Sequence, residues 1–77
     1  MRKIYEVAFD IKHEWKQPYF GAVPYIEAML ELDTKTSKFG VDDAENIVLY
    51  FLANAATFRG EKARALKQEL KSIVGVK

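Results

Sequence analysis

The stretch Lys3-Ile-Tyr-Glu-Val-Ala-Phe-Asp-Ile11 decides whether this chain is mixed or nearly all helical, because its apolar residues fit two periods at once. Tyr5, Val7, Phe9 and Ile11 alternate with Glu6, Ala8 and Asp10, the period-two pattern of a strand with one buried face. Ile4, Val7, Ala8, Ile11 and Trp15 also stand at helical spacing. The odd face carries two β-branched and two aromatic residues, which favours a strand over residues 3–11. Such a strand needs a partner. The segment 13–23, with Trp15, Tyr19 and Phe20 beside Pro18 and Gly21, offers a returning hairpin arm, and a second copy of the chain offers another.

Working outward, the remaining elements read as helices. Pro24 suits a first helical position, since its fixed φ and missing N–H cost nothing there. Tyr25, Ile26, Met29, Leu30 and Leu32 then supply an apolar face, with Glu27 and Glu31 towards water, which predicts a first helix over 24–34. Residues 33–40 read as a polar connection with Phe39 as an anchor. Asp42 with Glu45 three residues later resembles a capping box and starts a second helix over 43–58, apolar nearly all round and therefore central. Gly60 ends it, Glu61 opens a third helix over 61–74, and Gly75 closes that one. The expected fold is α+β and mainly helical: an N-terminal strand or short hairpin, then three helices with the second in the middle, in a single small domain spanning 1–77.

Composition narrows the chemistry. The 77 residues contain no cysteine and one histidine, His13, so neither disulfides nor thiolate or imidazole metal clusters supplement the core. The longest nearly apolar run, Ile47 to Ala53, falls far short of the roughly 20 residues that span a bilayer. The N-terminus is interrupted by Glu6, Asp10 and Glu14 and lacks the h-region of an export signal. A cytoplasmic protein is expected. Ser37 and Ser72 sit in polar surroundings, His13 sits in no motif, and no phosphate loop, HExxH or EF-hand spacing occurs, so no enzyme, cofactor or metal is expected. Glu27 and Glu31 share a helical face but read as ordinary water-facing residues.

Two constellations are left as binding candidates. Six of the ten aromatics lie in the first 25 residues, and Trp15, Tyr19 and Phe20 are those least explained by core periodicity. They are the candidate contacts to a protein partner or to a second copy in a homodimer. The net charge is only +1, yet residues 59–77 carry six basic groups against two acidic ones, and residues 23–58 carry the reverse excess. Arg59, Lys62, Arg64, Lys67 and Lys71 are therefore the candidate nucleic-acid contacts, with helix, glycine turn and basic helix as a helix-turn-helix unit. Interaction with protein leads, because a whole-chain charge near zero argues against a dedicated nucleic-acid binder.

The run PYIEAMLELD at 24–33, followed by FGVDDAENIVLYFLANAATFRGEKARALKQELK at 39–71, resembles small proteins of unknown role encoded in phages and prophages of Gram-positive bacteria. The resemblance covers about residues 18–71. It implies a mobile-element product made in a bacterial host's cytoplasm, and it transfers no catalytic or binding residue.

Overall fold

The computed structural model describes residues 2–34, 38–39 and 42–75. In chain order these form α1 (Ile4–Glu14), α2 (Val23–Met29), β1 (Lys38–Phe39), β2 (Asp42–Asp43), α3 (Ala44–Ala53) and α4 (Glu61–Val74). The chain is mainly helical. The N-terminal strand expected over 3–11 is instead α1, and segment 15–22 forms turns rather than a hairpin arm.

The reason lies in what each period buries. The helical stripe Ile4, Val7, Ala8, Ile11 and Trp15 is buried throughout, whereas the strand reading would have buried Tyr5 and Phe9, which stand 41% and 56% exposed. A lone strand must find its hydrogen bonds elsewhere, while a helix satisfies most of its own. The leading amides of α1 are satisfied from outside: Ile4 N–H donates to the Asp33 carbonyl at 2.8 Å and Tyr5 N–H to Leu32 at 2.9 Å. Glu6 reaches back to accept from the Lys3 amide at 2.8 Å.

Those bonds also explain why α2 is shorter than the expected 24–34. Past Met29 the backbone tightens, with Glu31 N–H on the Ala28 carbonyl and Leu32 N–H on that of Met29. This turn buries Leu32 and aims its carbonyl, with that of Asp33, at the start of α1. Residues 38–39 and 42–43 pair antiparallel, Lys38 with Asp43 and Phe39 with Asp42. The expectation that Phe39 anchors the core concerns a side chain outside the described residues.

Asp43 caps α3, its carboxylate accepting from Asn46 N–H at 2.9 Å. The helix stops at Ala53 rather than Phe58, yet Ala55 and Phe58 remain buried inside the turns that follow. The apolar stripe thus outlasts the helix. Gly60 precedes α4 at φ 113° and ψ 176°, a backbone region nearly closed to other residues. Gly75 ends α4 in the left-handed conformation.

Helix α1 packs on α2 and α4, and α3 packs on the same two, so the four close a ring and the expected central position of the 43–58 helix is shared out. One apolar cluster fills the ring, and no polar or charged side chain is buried among the described residues. Trp15, 8% exposed, stacks on Phe58 with centroids 5.0 Å apart and meets Phe51 edge-on at 6.4 Å. Replacing Trp15 with Ala should therefore lower unfolding free energy by about 3–5 kcal/mol in urea melts. A loss below about 1 kcal/mol, the value of a surface change, would contradict this placement.

Candidate binding surface

The side chains singled out by sequence divide into three groups. Trp15 is a core residue and is withdrawn as a partner contact, since its indole is enclosed by Phe51 and Phe58. Its spacing from Ile11 already fits the buried stripe once α1 is a helix. Tyr19 and Phe20 are exposed, at 46% and 79%, with rings tilted against one another 4.8 Å apart.

Gly21 follows that pair. A Cβ on it would lie 2.6 Å from the Tyr19 ring and 2.9 Å from Asn54 Oδ1, so a larger residue would push these two side chains aside. Ala22 N–H donates to the Tyr19 carbonyl at 2.8 Å, completing the turn. Asn54 is itself held by its side-chain amide donating to the Tyr50 carbonyl at 2.9 Å. Tyr19 thereby lines a hollow of about 190 Å³ with Ala53, Asn54, Ala56 and Thr57.

Two basic residues bond to the same connection. Arg59 Nε donates to the Ala56 carbonyl at 3.3 Å, and Lys67 Nζ donates to the Ala55 carbonyl at 2.7 Å while lying 5.8 Å from the Phe58 ring centroid. The Lys67 ammonium is held below the usual lysine range, chiefly by partial burial and then by the charges of Lys71 and Arg59. Arg64 and Lys71 continue this stripe at spacings of three and four along α4.

Lys62 departs from the group. It faces α1, where its ammonium meets Glu14 at 3.3 Å. Arg59, Arg64, Lys67 and Lys71 form no ion pair among the described residues, whose pairs are Arg2 with Asp10 and Glu69, Lys12 with Glu27, and Lys62 with Glu14. Glu69, which the sequence sets in the basic helix as an opposing charge, is neutralised by Arg2 at 2.8 Å on the α1 side. Glu27 of the Glu27 and Glu31 pair is engaged by Lys12 at 3.4 Å.

Sequence reasoning missed a second exposed feature. Tyr5 and Phe9 of α1 border a shallow hollow of about 320 Å³, and Phe9 and Leu30 also line a second of about 530 Å³. The strand reading assigned both aromatics to a buried face; the helical period places them outside. His13 stands on this helix rather than in a loop, its ring 4.3 Å from that of Phe9 and its Nδ1 donating to the Phe9 carbonyl at 3.0 Å. No three acidic, histidine or cysteine side chains among the described residues converge to hold a metal ion, and no described helix is long and apolar enough to cross a membrane. Comparison with protein-family models, curated proteins and solved structures finds no match to this chain.

The Arg2 clamp generates a pH prediction. Hydrogen bonds from Arg2 hold the Glu69 carboxyl below the usual carboxylate range and push the guanidinium further up. A carboxyl with a depressed folded-state pKa stabilises above its unfolded pKa, and that contribution is lost as pH falls through the folded value. Acid melts of the Glu69→Gln variant should lack this part of the pH dependence, with a cost at neutral pH of under about 1 kcal/mol because both groups meet solvent. Parallel pH profiles for the variant and the parent would exclude the clamp.

Proposed function

We propose that this chain is a small non-catalytic binding protein that works by engaging another protein or a second copy of itself, as a phage or prophage product in a bacterial host's cytoplasm. The origin and location rest on the sequence resemblance alone. The observation that supports the binding reading most is the exposure of Tyr5 and Phe9 around Leu30, where apolar hollows are rimmed by Arg2, Glu6 and Asp10 at one end and by Lys12, His13 and Lys16 at the other. Aromatic residues with a polar rim are the usual anatomy of a contact surface. Tyr19 and Phe20 add a second exposed aromatic pair on the neighbouring turn. A catalytic reading has less support, since the one histidine is held on Phe9 by its ring contact and by its Nδ1 hydrogen bond.

Binding to nucleic acid is the second reading, and one observation favours it: Arg59, Arg64, Lys67 and Lys71 form a cluster with no carboxylate partner among the described residues. The helix-turn-helix form of that reading is weakened, because residues 54–60 separate α3 from α4 where the motif uses a turn of about three or four residues.

Sedimentation equilibrium separates the readings. The protein-contact reading expects mass to rise with concentration, or with an added partner, and to return to the monomer value in a Tyr5→Ser, Phe9→Ser double variant. Association that persists unchanged in this variant, or a monomer that captures no partner protein, would remove the reading.

A further inference from the structure

The two sets of candidates that sequence keeps apart, aromatic and basic, reach one short connection, residues 54–59: Tyr19 borders Ala56 and Thr57, and Arg59 and Lys67 bond to the Ala56 and Ala55 carbonyls. We propose that this junction binds single-stranded nucleic acid, with bases stacking on the Tyr19 and Phe20 pair and phosphates held by Arg59, Arg64 and Lys71. The proposal rests on the second functional reading and goes further by naming the strandedness and adding the aromatic half of the site.

The placement carries the argument. Tyr19 lines one hollow with Ala56 and Thr57, and Arg59 is tied to the carbonyl of that same Ala56. Lys67, bound to the Ala55 carbonyl, stands between Arg59 and Lys71 and feels the charge of both. The aromatic pair and the row of cations are therefore joined through one turn, residues 54–59. Exposed π-faces joined to a cationic track are what sequence-tolerant single-strand binding needs, since every base has a face to stack and every nucleotide a phosphate to neutralise.

Phe20 is the more telling half. At 79% exposure its ring contributes little to the core, yet it is presented on Tyr19 rather than folded away. A duplex fits less well. Its bases are already stacked on one another, so exposed aromatics have nothing to receive, and Glu61 stands at the N-terminal end of α4, the end a recognition helix points at base edges. An acidic protein surface would use the cations but leave the aromatic pair idle.

The test is fluorescence anisotropy of labelled oligo-dT and oligo-U of about 12 nucleotides, and of a duplex of equal length, titrated with the full chain. Binding to one or both single strands should exceed binding to the duplex. Three to four neutralised phosphates predict about 20- to 50-fold weakening between 50 and 200 mM salt. Arg64→Glu with Lys71→Glu should abolish binding, and Phe20→Ala should weaken it at least about fivefold at constant salt, the loss of one stacked base. All three positions lie outside the core, and helical circular dichroism verifies that each variant is folded.

Failure to bind single strands at low salt overturns the proposal. So does equal binding to the duplex with no effect of Phe20→Ala, or self-association without nucleic acid that the two charge reversals remove. The Tyr5 and Phe9 variant serves as the separate control: it should leave oligonucleotide binding intact, so loss of protein association there and loss of nucleic-acid binding here are independent results.

Discussion

The stack of Trp15 on Phe58 is the contact on which the rest of the molecule depends. Trp15 caps the C-terminal end of α1, Phe51 lies in α3, and Phe58 lies in the connection to α4, so three separated parts of the chain meet in one aromatic cluster. Lys67 of α4 adds a fourth, with its ammonium near the Phe58 ring and on the Ala55 carbonyl. A connection that would otherwise be an exposed loop is thereby pinned from below. Its outer side becomes a defined surface, bordered by Tyr19 and held by the bond from Arg59 to the Ala56 carbonyl.

Charge is distributed to the same effect. The acid and base groups along the α1 and α4 seam neutralise one another, Arg2 with Asp10 and Glu69, and Glu14 with Lys62. Surface pairs of this kind add little stability individually. Their consequence is where they leave the surplus: the basic excess of the C-terminal segment stays on the side of α4 turned from α1, grouped around Lys67. A net charge of +1 therefore conceals a local cationic row.

Much of the helical architecture is legible in the residues. Gly60 and Gly75 delimit α4, and the stripe Ala63, Leu66, Leu70, Ile73 and Val74 is buried along it. The acidic run at 42–43 marks the start of α3 one residue early: Asp42 with Glu45 reads as the cap, and Asp43 takes that role with Asn46 N–H. The N-terminal segment misleads for a definite reason. Val7 and Ile11 belong to both periods, so the choice turns on Tyr5 and Phe9 against Ile4, Ala8 and Trp15, and only packing on α2 and α4 decides it. The end of α3 misleads differently: Ala55 and Phe58 continue the apolar spacing while the backbone has left the helix, so periodicity reads burial correctly and secondary structure incorrectly. Among the cations, residue type alone could not separate Lys62 from its neighbours, because its partner Glu14 is 48 positions away.

In this packing the single tryptophan is interior while its aromatic neighbours in sequence, Tyr19 and Phe20, are surface groups. Trp15 fluorescence tests this directly, since no other indole contributes. The structure predicts blue-shifted emission resistant to iodide quenching, unchanged when the connection at 54–59 is occupied by a ligand. Red-shifted emission that iodide quenches freely in the folded protein would place Trp15 at the surface and contradict the packing from which both proposed surfaces are derived.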